Sequence, residues 1–170
     1  MASTDLKVVP PRGEIRAGGL DRAEVAELLR EHMLDMHRHT PPESIHALDL
    51  DGLRAPGISF WSMWDGTDLM GCGALKELDP RHGEIKSMRT AERYLRRGVA
   101  RRMLEHIMAE ARRRHYRRLS LETGSTSGFA PALRLYAEFG FRRCGPFADY
   151  TDDPHSIYMT LDLAPPAARV

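Results

Sequence analysis

Two tight-turn signals in the middle of the chain restrict the fold more than any other feature. Two runs rich in strand-forming residues flank Asp65-Gly66, a pair favoured in two-residue hairpin turns. A second turn signal, DPRHG at 79–83, leads into a third run of the same kind at 84–90. Because strands joined by short turns pair antiparallel, the sequence predicts a three-stranded meander at the centre of the fold.

Helical and strand patterns alternate around this meander. Apolar residues recur at helical spacing over 19–37, and a second helix is predicted at roughly 97–114. The apolar stripe of the second helix consists of Val99, Met103, Ile107 and Ala111.

The predicted element order is β-α-loop-β-β-β-α-β-α-β-β, which gives an α/β (α+β) mixed sheet rather than a doubly wound one. At 170 residues the chain is long enough for one domain with its own core. We place that domain at residues 13–162, with flexible tails at 1–12 and 163–170.

Charge and composition exclude several classes of function. The formal net charge is +1, so any attraction of polyanions must come from a local basic site. The sequence contains no apolar run near the ~20 residues that span a bilayer, and no signal-peptide core. Cys72 and Cys144 have no metal-type spacing, so we expect a cytoplasmic protein with reduced thiols and no bound metal.

The chemistry concentrates in an arginine-rich turn between the third strand of the meander and the helix that follows. The start of a helix exposes unpaired backbone N–H groups and the positive end of its dipole, which together attract anions. Gly98 and Ala100 let a ligand approach the backbone closely, and arginines surround them. The two common phosphate motifs, GxxxxGK[ST] and GxGxxG, are absent.

Three interpretations compete for this turn. The arginines could form a solvated helix face, a nucleic-acid surface or a cradle for the phosphates of a cofactor. Proteins that bind single-stranded nucleic acid interleave aromatic residues with basic ones. Residues 93–118 contain only two Phe, Trp or Tyr residues, Tyr94 and Tyr116, which disfavours the nucleic-acid surface.

Two segments resemble signatures of one family, the GCN5-related N-acetyltransferases (GNAT superfamily). MRTAERYLRRGVARRML looks like the acetyl-CoA motif [QR]-x-x-G-x-[GA], with Leu95 standing where Gln or Arg is usual. ALRLYAEFGF at 132–141 is similar to the second signature, A-x-x-L-Y-x-x-x-G-F, although Phe129 replaces the Asn that often precedes it. The resemblance covers roughly residues 13–162 and is strongest with small bacterial GNAT proteins.

The resemblance implies a mostly antiparallel central sheet that is splayed at the acetyl-CoA site and flanked by helices. It also implies that Tyr136 protonates the departing thiolate as general acid, and that backbone at 88–90 pairs with the pantetheine arm while 96–101 meets the pyrophosphate. The implied cofactor-binding residues are therefore Met88, Arg89, Thr90, Arg96, Arg97, Gly98, Val99, Ala100 and Arg101.

Acetyl transfer to an amine also needs a base, because an alkylammonium group must lose its proton before it attacks. Glu84 and Glu122, on neighbouring predicted strands, are the candidate bases, and Glu77 is a third. Backbone N–H groups near 88–90 can polarise the thioester carbonyl. Each carboxylate also has a plainer explanation, since Glu84 can simply pair with Lys86 or an arginine.

The acceptor side is predicted with less detail. His46 lies in the long connection at 40–57 and is a candidate substrate contact, although a half-buried histidine satisfied by its neighbours fits equally. Trp61 and Trp64 point to opposite faces of a regular strand, so we expect at most one in the core and take Trp61 as a possible acceptor contact.

The sequence thus predicts an N-acetyltransferase that moves the acetyl group from acetyl-CoA directly to an amine on a small molecule or a protein N-terminus. A homodimer is possible, and neither nucleic acid nor membrane is an expected partner. Two alternatives stay open: a GNAT-like module that binds acyl-CoA without transfer, and an arginine-rich nucleic-acid-binding protein.

Overall fold

The computed structural model describes residues 12–164. The predicted tails at 1–12 and 163–170 therefore lie almost wholly outside the described residues. The core reaches Leu163, which is buried and donates its backbone N–H to the Arg117 carbonyl at 2.9 Å.

The order of elements confirms the predicted alternation. The strands and helices are β1 (Glu14–Ala17), α1 (Ala23–His39), α2 (Leu50–Leu53), β2 (Ile58–Asp65), β3 (Asp68–Asp79), β4 (His82–Thr90), α3 (Val99–Arg113), β5 (Arg118–Gly124), α4 (Ala130–Glu138), β6 (Arg142–Cys144) and β7 (Ser156–Asp162).

Within residues 12–164 the strands form one seven-stranded sheet in the order β1-β2-β3-β4-β5-β7-β6. The meander β2-β3-β4 is antiparallel as predicted, with Asp65 and Asp68 flanking its first turn. Among the described strands the single parallel pair is β4 with β5, and α3 makes the crossover between them. A parallel pair needs such a crossover because both strands must run in the same direction.

The parallel pair is short, and this opens the sheet at its centre. β4 pairs with β5 only from His82 to Ile85, opposite Arg118 to Leu121. Beyond that point β4 stays with β3 as far as Thr90, while β5 stays with β7 as far as Gly124. The splayed, mostly antiparallel sheet implied by the family resemblance is therefore present.

A bulge in β4 accompanies the separation. Cys72 of β3 is opposite Arg89, but Ala74 is opposite Lys86, so β4 has one extra residue in this interval. Ser87 lies there with φ of 54°, in the left-handed region that a non-glycine residue seldom adopts. Such a bulge bends its strand, and here it lies just past the last β4–β5 pair.

Both faces of the sheet are covered by helices. One core packs α3 and α4 against the sheet and contains Trp61, and a second core packs α1 and α2 against the opposite face and contains Trp64. The expectation that at most one tryptophan lies in the core is wrong. The two side chains do point to opposite faces, but each face has its own helical layer.

The apolar stripe predicted for α3 is confirmed. Val99, Met103, Ile107 and Ala111 are all buried against the sheet. This packing fixes the axis of α3 and therefore the position of its first turn at the open end of the sheet.

We expect Gly71→Ala to destabilise the fold, because a Cβ there would lie 2.7 Å from the Arg89 carbonyl oxygen and 2.9 Å from Val99 Cγ1. The predicted loss is about 1–3 kcal/mol in free energy of unfolding, measured by urea denaturation. Gly145→Ala is the matched control, since its Cβ would have no neighbour within 4 Å. Equal stabilities for the two variants would contradict the tight packing between β3, β4 and α3.

Candidate active site

A cleft of about 1130 Å³ opens where β4 and β5 part. Its walls come from both faces of the sheet: α1 on one side, α4 and the first turn of α3 on the other. The separated strands lie between these walls. The cleft therefore runs through the plane of the sheet, so two ligands can approach each other from opposite faces.

The turn before α3 leaves an open anion site at one end of the cleft. Gly98 is the N-cap of α3 with φ of 81°, and the helix has no side-chain cap and no acidic residue in its first turn. The N–H groups of Val99, Ala100 and Arg101 belong to that first turn, where intrahelical partners are missing. The space at Gly98 is also free, since a Cβ there would meet nothing within 4 Å. These features fit a pyrophosphate group.

The arginines of the turn contribute unequally. Arg96 and Arg101 line the cleft, whereas Arg97 is not among the lining residues and stacks on the Tyr94 ring at 5.6 Å. Arg101 also pairs with Glu138 of α4 and lies 5.2 Å from the centre of the Phe139 ring. The backbone of the turn is thus the more direct anion receptor, and Arg96 adds charge.

The free edge of β4 forms the floor of the cleft. Met88, Arg89 and Thr90 all line it, beyond the last pairing of β4 with β5. A Cβ on Gly73 would lie 2.8 Å from Met88 Sδ and 2.9 Å from Ile107, which places the Met88 side chain on the α3 face. The Arg89 side chain lies on the other face, against Asp35 of α1.

Tyr136 reaches the cleft from α4. Its ring is 6% exposed and packs edge-on against Phe141, with 5.7 Å between ring centres. Burial raises the pKa of Tyr136 above its ordinary value of 10, so the hydroxyl stays protonated at neutral pH. The side chain is therefore a hydrogen-bond donor in the cleft, as a general acid must be.

Glu122 is the candidate base that the fold brings to the cleft. It lies on β5 one residue past the last pair with β4, and the Ser156 hydroxyl donates to its Oε1 at 2.8 Å. Burial raises the pKa of Glu122 above 4.5, against the opposing effect of that hydrogen bond. Glu77, by contrast, is exposed and outside the cleft.

Glu84 lies beneath the cleft instead of lining it. It is 2% exposed, and its Oε1 accepts from Lys86 Nζ at 3.1 Å and from the Tyr150 hydroxyl. Lys86 Nζ also lies 3.3 Å from the His46 carbonyl oxygen and 3.1 Å from the Tyr150 hydroxyl. One buried ion pair thus connects β4 to the loop carrying His46 and to the segment before β7.

The two predicted acceptor contacts have different locations. His46 lines the cleft and packs edge-on against Tyr150, with 5.0 Å between ring centres. Trp61 is buried in the α3 core, 5.3 Å from the His106 ring, and is not among the residues lining the cleft. The fold therefore does not bring Trp61 together with the other predicted site residues.

Sequence reasoning missed a charged cluster on the α1 side of the cleft. Arg89 Nη2 lies 2.5 Å from Asp35 Oδ2, and this pairing holds the pKa of Asp35 below its usual value. His32 lines the cleft beside them, and burial together with the Arg89 charge lowers its pKa to about 4. The periodicity of α1 placed these residues on a helix, but nothing local indicated their partner on β4.

Two features are absent from residues 12–164. No helix in this range is long and apolar enough to cross a bilayer. The same residues include no group of three or more His, Cys, Asp or Glu side chains arranged to hold a metal ion.

Comparison with known proteins identifies relatives of one family. The model of the acetyltransferase (GNAT) family matches residues 23–141. The chain is 57% identical over 149 residues to the uncharacterized N-acetyltransferase YsnE of Bacillus subtilis, covering 88% of this chain and 99% of the relative. It is 51% identical over 149 residues to the uncharacterized N-acetyltransferase YedL of Escherichia coli, covering 88% and 94%.

A solved structure shows the same fold at low sequence identity. A Bacillus subtilis acetyltransferase in complex with CoA superposes with a TM-score of 0.67 at 19% identity, covering 90% of this chain and 100% of that chain.

We expect Glu122→Gln to raise the free energy of unfolding at neutral pH. Because the pKa of Glu122 is raised in the folded protein, its ionised form costs stability that the neutral amide does not. The gain should be absent below pH 4.5, grow as pH rises through the raised pKa, and then level off.

The measurement is denaturant unfolding of wild type and variant across this pH range. Glu105→Gln, at an exposed position on α3, is the control for loss of one carboxylate charge. A gain from Glu122→Gln that is the same at every pH would contradict the raised pKa.

Proposed function

The chain belongs to the GNAT acetyltransferase family, and on that premise we propose that its cleft transfers the acetyl group of acetyl-CoA directly to an amine. The acceptor is a small molecule or a protein N-terminus. The observation that carries this proposal is the separation of β4 from β5, which joins the open helix terminus at Gly98 to Tyr136 and Glu122 in one cleft.

Acetyl-CoA would lie on the α3 and α4 side of the cleft. Its pyrophosphate would accept hydrogen bonds from the backbone N–H groups of Val99, Ala100 and Arg101 and be attracted by Arg96. Its pantetheine arm would follow the free edge of β4 at 88–90, where polar backbone groups face no neighbouring strand of the described sheet. Backbone N–H groups at that edge are suited to polarise the thioester carbonyl.

The proton for the departing thiolate is assigned to Tyr136. A thiolate with a conjugate acid near ~8.5 accepts a hydrogen bond from a phenol whose pKa lies above ~10. The raised pKa of Tyr136 keeps the hydroxyl protonated before reaction but also makes it a weaker acid, so the proton moves only as charge develops on the sulfur. The phenolate would regain a proton from the acceptor nitrogen as that nitrogen becomes an amide.

The amine would enter from the α1 side and lose its proton to Glu122, directly or through a water molecule. Glu122 fits this role better than Glu84, because it lines the cleft and its raised pKa makes it a stronger base than an ordinary carboxylate. Glu84 already accepts from Lys86 and Tyr150, so we assign it to positioning His46 and Lys86.

Direct transfer is preferred over an acyl-enzyme route. Cys72 is buried in β3, and burial raises the pKa of its thiol to about 12. A thiol in that state is a poor nucleophile, since the thiolate is the reactive form. Cys144 lies on β6, away from the lining of the cleft.

Cytoplasmic location and a possible homodimer complete the proposal. Reduced cysteines support the location, since Cys72 and Cys144 are both free.

Thiol release from acetyl-CoA with a panel of amines separates an enzyme from a module that only binds acyl-CoA. A salt-sensitive shift of duplex DNA would instead favour the nucleic-acid alternative.

We expect Tyr136→Phe to lower kcat by about 10²-fold or more while changing the Kd for acetyl-CoA little, because the variant removes one proton donor and keeps the ring. Initial rates of thiol release and calorimetry with acetyl-CoA measure the two quantities. Phe141→Leu, at the ring's packing partner, controls for a shift of the aromatic pair. Wild-type kcat in Tyr136→Phe would exclude Tyr136 as the acid.

Gly98→Glu should abolish acetyl-CoA binding. The new carboxylate would extend from the turn where the pyrophosphate is proposed to bind, and the two anions would repel each other. Gly98→Gln is the matched variant, since both substitutions strain the same φ of 81° and differ only in charge. We expect Gly98→Glu to bind at least about tenfold more weakly than Gly98→Gln, or roughly 1.4 kcal/mol. Unchanged affinity in Gly98→Glu would contradict the phosphate cradle.

A further inference from the structure

We propose that the amine acceptor also carries a carboxylate, and that Arg89 of β4 is the residue that binds it. This inference rests on the proposed function, because it specifies the substrate of the same cleft. It is carried by the contacts of Arg89 and by the balance of charge on the α1 side.

Arg89 is positioned to meet the acceptor and not the cofactor. Its side chain lies on the α1 face, opposite the face that carries α3 and α4. It lines the cleft just beyond the Ser87 bulge, where β4 has left β5. An acceptor that enters between α1 and β4 therefore passes the guanidinium before it reaches the free edge of β4.

The guanidinium has donors to spare. An arginine presents five N–H donors in a planar fork, and Nη2 of Arg89 is committed to Asp35. Nε is buried and has no hydrogen-bond partner among the described residues. Nε is closed to solvent, but 26% of the side chain is exposed, so a planar anion in the cleft can accept from the exposed part of the guanidinium.

The charge around Arg89 also favours an anion. Asp35 is the carboxylate that Arg89 contacts, and Arg38 Nη1 donates to its other oxygen at 3.1 Å. One carboxylate is thus shared between two guanidinium groups, which leaves a local excess of positive charge. His32, with its pKa near 4, is a neutral neighbour at physiological pH and does not offset that excess.

Across the split from Arg89, the side chain that β5 contributes to the cleft suits an amine. Glu122 lines the cleft on β5, one residue past the last pair of β5 with β4. The cleft thus offers a carboxylate for the amino group and a guanidinium for an acid group on the same molecule. Amino acids with a separated amine and carboxylate, and peptides with an acidic side chain near their N-terminus, both have this chemistry.

The test compares each acid with its own carboxamide. The probes are ω-amino acids of increasing chain length and the corresponding amides, titrated by calorimetry into the protein saturated with CoA. Initial rates with acetyl-CoA are measured in parallel. Because amidation also changes the basicity of the amine, the quantity of interest is the acid-to-amide ratio in each variant, compared with wild type.

We expect wild type to prefer the acids, and Arg89→Met to lower the acid-to-amide ratio by about 10- to 100-fold, the range for a lost charge-assisted hydrogen bond. Arg89→Lys should retain part of the preference, since it keeps the charge but not the fork. Asp35→Asn should raise affinity for the acids, because it frees the guanidinium. Arg142→Gln controls for net charge, because Arg142 is an exposed arginine of β6 that pairs with Asp162 of β7.

The outcomes separate this inference from the proposed function. A wild-type protein that acetylates amides and plain alkylamines as well as acids would overturn the inference and leave the acetyltransferase intact. An equal loss for acids and amides in Arg89→Met, with no gain for acids in Asp35→Asn, would also overturn it. Selective binding of acids without turnover would support the inference while the proposed reaction failed.

Discussion

The site depends on one feature of the backbone, the loss of pairing between β4 and β5 after Ile85. Parallel neighbours in a sheet normally stay hydrogen-bonded along their length, and here they do so for four residue pairs. Each strand keeps its other neighbour, so the backbone beyond the split stays ordered while one edge becomes available to a ligand. The α3 crossover and the bulge at Ser87 bring a helix terminus and a bent strand to the same opening.

Short-range patterns in the sequence predicted most of the fold. The hairpin at Asp65-Gly66, the α3 stripe and the turn that carries Gly98 are each set by residues within a few positions of one another. The separation of β4 from β5 was predicted only through the family resemblance, because no local pattern reveals where two parallel strands stop pairing. The sequence did not reveal that α1 and α2 cover the second face of the sheet. Trp61 and Trp64 were therefore not both expected in the core.

Contacts between distant segments were beyond sequence reasoning. Lys86 reaches His46 and Tyr150, which are 40 and 64 positions away, and Arg89 meets Asp35 of α1. Long-range pairs of this kind depend on how the sheet and helices stack, which hydrophobic periodicity does not encode. Sequence motifs therefore predicted the residues on the cofactor side of the cleft, whereas the contacts on the acceptor side became visible only in the folded structure.

Two carboxylates next to the split, buried Glu84 and half-buried Glu122, illustrate how packing assigns roles that composition leaves equal. Glu84 and Glu122 lie on adjacent strands, and Lys86 forms an ion pair with Glu84. Lys86 and Tyr150 both donate to Glu84, which therefore stays tied beneath the cleft. Glu122 keeps a weaker partner, the Ser156 hydroxyl, and burial raises its pKa. A lysine committed to one carboxylate thus leaves the other free to accept a proton from an incoming amine.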